Sequence, residues 1–378
     1  KASLRREHTR VHMEKSKKRI YICHTYYHVY IACLKELNLP VRGEAAVRGQ
    51  ASLLLSSLSN DFGTLQQRAV ESGLFEEVLS YGEKEESFFP ELAPYHRDKG
   101  NLLLNMLSRM KFTRLMGKLQ APFVPVNLRE YEDIYVFCDS DPIGYYLNVH
   151  KIYYHALEDG LDCIRYYDTA RYDNRGHFKL KAWMAARNLI FIQNGYAKYC
   201  LDMEVNDISV LEYPCPKYIE KPRKELTEKL GKEEKEILVS IFIENKEKLK
   251  ELLAFDKADR PKVLVLSEPL CGLETRKRIF MDIIEEYGTV RGERARILIK
   301  PHPRDVLDYQ ELFPEHLVLD GKFPMEILNY VDSLVFDRVV TVFTVPTAIA
   351  FAKEKIFLGE DFMDRYEAPE IHRQNEQI

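Results

Sequence analysis

Six short apolar runs recur along this chain, each closing on polar residues. They are "RIYICHT" (19–25), "DIYVFCDS" (133–140), "KIYYHALEDG" (151–160), "KVLVLSEP" (262–269), "RILIKPHP" (296–303) and "RVVTVFT" (338–344). Between them lie stretches with helical spacing, such as "YYHVYIACLKELN", "GLETRKRIFMDIIEEYG" and "PMEILNYVD". Near-continuous apolar strands alternating with amphipathic helices mark parallel sheets covered on both faces. Three of the runs fall in each half, so the chain reads as two doubly wound, Rossmann-like α/β domains facing a central cleft. A length of 378 residues suits two domains better than one. The segment 212–236, "EYPCPKYIEKPRKELTEKLGKEEKE", carries three prolines and then dense charge. It reads as a linker into a solvated helix. The expected layout is a first domain over 13–212, a linker over 213–236 and a second domain over 237–378. Met13 reads as a natural start, and the polar, basic residues 1–12 are taken as an added tail outside the fold.

Composition removes several function classes. A net charge of −4 argues against a chain-wide nucleic-acid surface. Seven cysteines, without a CxxC pair or regular spacing, point to a reducing cytoplasm and away from a zinc site. No apolar run approaches the ~20 residues of a membrane-spanning helix. The basic stretch "LSRMKFTRLMGKLQ" (107–120) reads as an ordinary amphipathic surface helix, with peripheral membrane contact as the alternative. No glycine-rich phosphate loop or Walker motif favours ATP or NAD.

Ligands of parallel sheets bind beyond the carboxyl ends of the strands, so those ends carry the candidate chemistry. The first half offers His24 and Thr25, then Asp139, Ser140 and Asp141, then Glu158, Asp159 and Gly160. The second offers Ser267, Glu268 and Pro269, then Lys300, His302, Pro303 and Arg304, then Thr344 and Thr347. Carboxylates gather in one half; a histidine, cations and hydroxyls gather in the other. That division suits activation of a hydroxyl nucleophile by the first domain. The second domain would hold an anionic, phosphate-bearing leaving group.

"KPHP" is the most specific of these elements. Pro301 and Pro303 cannot donate to a sheet ladder, so the strand ends there and His302 sits in a stiff, extended turn. The acidic pair before Gly160 places a carboxylate at a strand end where a ligand can approach the backbone closely; a solvated turn is the plain alternative. Thr344 and Thr347 in "VFTVPTAIAFA" fall where a helix is expected to begin, offering hydroxyls and free N–H groups to phosphate or an ordinary cap. "CDSD" (138–141) imitates the Asp-x-Asp metal-nucleotide motif of one class of sugar transferases, and equally reads as a strand-to-helix cap.

Taken together, a D/E-D/E-G motif in the first half and an HP motif in the second resemble the bacterial sialyltransferases. The start "YICHTYYHVYIACL" and the context "YYHALEDGLD" are most similar to glycosyltransferase family 52, which contains lipooligosaccharide and capsular sialyltransferases. The resemblance implies a GT-B fold and an inverting, metal-independent transfer from CMP-sialic acid to a glycan acceptor. It implies Asp159 as general base and His302 on the donor phosphate. Lys300 would lie by the cytosine and Glu326, in "FPMEIL", on the ribose hydroxyls. Family members dimerise, so a homodimer is among the implied states. Related enzymes often present a serine pair to the phosphate; here Thr344 and Thr347 stand in, separated by Val345 and Pro346. On these expectations Ser267, Glu268 and Pro303 complete the donor side, and His24, Thr25, Asp139, Ser140, Glu158 and Gly160 the acceptor side. The competing readings are a related transferase of glucosyl or polyol-phosphate groups, a non-catalytic capsule-assembly scaffold, and a metal-dependent GT-A enzyme using Asp139 and Asp141.

Overall fold

The computed structural model describes residues 17–42, 47–139, 142–160, 164, 176–211, 214–254 and 260–372. Ser140, Asp141 and Cys163 lie outside the described residues.

The first domain is built on seven parallel strands: β1 (Lys17–Cys23), β2 (Ala51–Ser56), β3 (Phe75–Tyr81), β4 (Tyr131–Phe137), β5 (Tyr154–Leu157), β6 (Cys200–Val205) and β7 (Tyr218–Glu220). Their order in the sheet is β3-β2-β1-β4-β5-β6-β7. The second domain carries β8 (Lys262–Leu266), a small antiparallel hairpin of β9 (Thr289–Val290) and β10 (Glu293–Arg294), then β11 (Arg296–Lys300), β12 (Leu317–Val318), β13 (Phe336–Thr341) and β14 (Ala352–Phe357). Its parallel sheet runs β12-β11-β8-β13-β14. Both sheets therefore start in the middle, grow outward and reverse, which opens a crevice between β1 and β4 and another between β8 and β13.

Alternation along each strand shows why both faces must be covered. In β1, Ile20 and Ile22 enter one core while Tyr21 and Cys23 enter the other. In β8, Val263 and Val265 face one layer, and Leu264 and Leu266 the opposite one. Each fully buried aliphatic side chain contributes about 1.5–3 kcal/mol relative to exposure. One of these cores is common to both domains. Tyr30 and Leu34 of helix α1 (Tyr26–Leu37) share it with Leu238 and Phe242 of helix Lys232–Phe242 and with Ile327 and Leu328 of the second domain. The Tyr30 and Tyr330 hydroxyls meet across the boundary at 2.7 Å.

Two expectations change. The segment expected as a linker contributes β7 to the first sheet, where Glu204 and Val205 pair with Ile219 and Glu220. Proline and charge are compatible with an edge strand that bonds on one side only, which hid it in the sequence. The segment after Thr344 begins no long helix. It makes a single 3-10 turn (Pro346–Ala348) and leads directly into β14.

Candidate active site

The carboxyl ends of both sheets converge on one cleft of about 540 Å3. Its first-domain wall includes Thr25, Tyr27, Asn60, Asp159 and Gly160; its second-domain wall includes Ser267, Lys300, His302, Pro303, Arg304, Glu326 and Thr344. Residues more than 300 positions apart in sequence thus border one space.

On the first wall, Thr25 caps α1 by accepting the His28 N–H (3.1 Å), which starts the helix immediately after β1. One turn in, His28 Nε2 lies 2.6 Å from Asp159 Oδ1. The two atoms are in close contact but off the axis of a linear hydrogen bond. Asp159 keeps 40% of its side-chain surface open, whereas His28 keeps 3%. Burial pushes the Asp159 pKa up, but His28, His24 and Arg304 outweigh it and hold the carboxyl below its usual range. Burial dominates at His28 and lowers its pKa, against the pull of Asp159. Gly160 follows with φ 147°, where a side chain would be strained.

On the second wall the HP loop is pinned from below. Ser267 Oγ accepts the His302 N–H at 3.1 Å and donates to Asp305 Oδ2 at 2.8 Å. Asp305 also takes Arg276 (2.6 Å) and the Tyr309 hydroxyl (2.7 Å). His302 Nδ1 accepts the Arg304 N–H at 3.1 Å, which leaves the ring proton on Nε2. Burial, with Arg304 and Lys300 nearby, lowers the His302 pKa to about 4, so the ring is neutral at pH 7. Lys300 is buried, donates to the Pro301 and Gly321 carbonyls (2.7 and 3.0 Å), and lies 4.3 Å from the centre of the Phe323 ring. Its burial outweighs the attraction of Asp320 and Glu326 and lowers its pKa to about 7. Burial raises the Glu326 pKa, with Lys300 opposing.

Several residues expected at the site face elsewhere. His24 is buried against Glu83 (2.7 Å), which also accepts the Ser56 hydroxyl and the Ile143 N–H. Glu158 turns to the opposite side from Asp159, where its Oε2 accepts the Asn206 N–H at 2.6 Å. Asp139 is fully buried. It adopts a left-handed backbone conformation (φ 49°) that turns its carboxylate inward to the Tyr154 hydroxyl (3.0 Å) and Gly195 N–H (3.2 Å). Burial raises its pKa to about 6. Glu268 does not line the cleft; its carboxylate accepts the N–H groups of Val342, Phe343 and Thr344 at 2.8–3.3 Å. Those donors are therefore taken before any phosphate arrives. Thr344 borders the cleft, but Thr347 is exposed outside it.

A family model for glycosyltransferase family 52 matches residues 100–360, more than half of the chain. The chain belongs to glycosyltransferase family 52. It is therefore read as a glycosyltransferase, and its paired Rossmann-like domains are the GT-B arrangement. Among solved structures, this family 52 chain is similar to the α/β-galactoside α-2,3-sialyltransferase of Photobacterium phosphoreum, with 12% identity, 91% of each chain covered and a TM-score of 0.50. That likeness shows the fold. A UDP-GlcNAc 2-epimerase from Neisseria meningitidis gives 9% identity over 85% of this chain and 77% of that one, at a TM-score of 0.42. An uncharacterized protein of Haemophilus influenzae is 35% identical over 92 residues, spanning 24% of this chain and 28% of the relative.

The sequence of this family 52 glycosyltransferase did not reveal Tyr27 and Asn60 on the first wall, His28 buried beneath it, or the anchoring role of Asp305 on the second. The four-residue spacing of His24 and His28 in "HTYYH", one at the end of a strand and one in the first turn of the helix after it, was the available signal.

Proposed function

We propose that this family 52 glycosyltransferase is an inverting sialyltransferase that needs no metal ion. It would move sialic acid from CMP-sialic acid to a hydroxyl of a lipooligosaccharide or capsular glycan. The observation that carries the reading is the Asp159 carboxylate, held ionised on one wall of the cleft, opposite the neutral His302 and cationic Arg304 on the other.

The steps balance in a single displacement. The acceptor hydroxyl gives its proton to Asp159 as its oxygen bonds to the anomeric carbon of sialic acid. The bond from that carbon to the phosphate oxygen breaks on the opposite face, and its electron pair leaves with CMP. A phosphate monoester has a second pKa of about 6, so the departing group needs hydrogen bonds rather than a full proton. Neutral His302, with its proton on Nε2, and the Thr344 hydroxyl suit that task. A donor of this kind is worth about 2.7–4 kcal/mol and a general base ~10²–10⁴-fold. Lys300 and Glu326 flank the nucleoside under this reading. Asp139, committed to Tyr154 and Gly195, is unsuited to chelate a metal-nucleotide.

The enzyme is expected to work in the cytoplasm, with membrane contact peripheral at most. No described helix is long and apolar enough to cross a membrane. Incubation with CMP-sialic acid, with and without a galactose-terminated acceptor, tests the reading. Transfer and slow acceptor-free hydrolysis support it. Turnover of UDP-glucose or a polyol-phosphate nucleotide instead would replace the donor, and nucleotide binding without turnover would point to a scaffold.

A further inference from the structure

We propose that His28 is the positioning residue for Asp159: its Nε2 edge packs 2.6 Å from Oδ1 and leaves Oδ2 as the oxygen that takes the acceptor's proton. The inference rests on Asp159 being the base, and its own content is the fixed ring beneath that carboxylate. His28 Nδ1 accepts the His24 N–H at 3.0 Å, so the neutral ring carries its proton on Nε2, the nitrogen 2.6 Å from Asp159.

The ring has no freedom to turn away. It stacks flat on Phe137, with centroids 4.0 Å apart and planes 2° from parallel, and its backbone is tied to Thr25. Behind it, His24 is clamped to Glu83, and Glu83 to the Ile143 N–H. A chain of contacts thus runs from the core to one oxygen of an otherwise open carboxylate. Deprotonation of Nε2 is not available near neutral pH, so His28 does not compete for the acceptor's proton; it directs where Asp159 accepts it. The charged and titratable groups facing this pair are His24 on the same wall and Arg304 across the cleft; Glu158, next in sequence, is turned away but near enough to be felt electrostatically.

Two variants of the full chain separate a positioning role from a structural one. His28→Phe keeps the stack on Phe137 and removes the donor; His28→Gln offers an amide N–H near the place of Nε2. The first readout needs no turnover: the Asp159 carboxyl is titrated by 13C NMR, its signal assigned with Asp159→Asn. Without His28, burial acts unopposed by its largest counterweight, so the pKa is expected to rise in His28→Phe and to return toward wild type in His28→Gln. The second readout is transfer from CMP-sialic acid. His28→Phe should lose ~10²-fold in kcat with little change in KM, and the acid limb of its pH profile should move up; His28→Gln should recover part of both. An unmoved Asp159 titration in a folded His28→Phe protein overturns the proposal, as does wild-type kcat. If His28→Phe fails to fold, a wild-type Asp159 titration and profile in His28→Asn, whose amide does not reach Nε2, overturns it equally. Retained transfer by Asp159→Asn would instead sink the base assignment, a different failure from either of these.

Discussion

The Ser267 hydroxyl bridges the two ends of the HP turn, accepting the His302 N–H and donating to Asp305, three residues further along. The prolines alone do not set the imidazole; the turn is also tied to the neighbouring strand end. Ser267→Ala should therefore lower transfer more than it lowers stability. Losing a net hydrogen bond or two costs about 1–2 kcal/mol in folding. A displaced His302 should cost ~10-fold or more in kcat/KM. Steady-state kinetics beside a thermal melt checks the ratio.

Asp159 and Glu158 are neighbours in sequence with opposite fates. Asp159→Asn should abolish transfer while leaving CMP binding and melting temperature near wild type, because its side chain is open to the cleft. Glu158→Gln should retain transfer. Its buried Oε2 accepts a backbone N–H, so its cost, about 1–2 kcal/mol, should appear in the melt. An inactive but stable Glu158→Gln would move the base one residue upstream.

Lys300, with a pKa of about 7 in the folded protein, is largely uncharged above neutrality. The unfolded chain would hold that proton up to a pH near 10.4, so between about 7 and 10 folding sheds a proton and stability gains with pH from this group. An anionic nucleotide beside it should pull the pKa back up. CMP binding at pH 8 is thus expected to take up a fraction of a proton, seen as a buffer-dependent enthalpy in calorimetry. Lys300→Met should abolish that dependence, and CMP should stabilise the wild type more than UMP or ADP.

Metal chelation should leave transfer intact. Asp139→Asn should likewise remain insensitive to EDTA, since the buried carboxylate bonds to Tyr154 and Gly195. Strict dependence on Mn²⁺ or Mg²⁺ would move the enzyme to the metal-assisted class.

Strands β1, β4, β8 and β11 were readable because both their faces are covered, leaving nearly unbroken apolar runs, whereas β2, equally buried, and β3 and β6 were not among the runs read. β14 was not: "AKEKIF" is a charged, partly exposed edge, and its sequence resembles a solvated loop. That the strand ends border the cleft was readable, but the direction of each side chain was not. Asp159, open to the cleft, directly follows Glu158, turned into the fold, and alternation gives no sign of which neighbour a bend will favour. Glu268 shows the same limit. Its carboxylate satisfies three backbone donors that only the folded arrangement of β8 beside β13 brings within reach.

The apolar layer in which Tyr30 and Leu34 meet Leu238, Phe242 and Ile327 belongs to neither half alone. Cutting the chain at the boundary would expose that layer on both fragments, so the second half expressed by itself should aggregate. For the intact chain the same layer makes melting a joint event: one calorimetric peak is expected, and CMP bound to the second half should delay loss of structure in the first. Two resolved peaks, with only the later one moved by CMP, would show the halves to be thermodynamically independent.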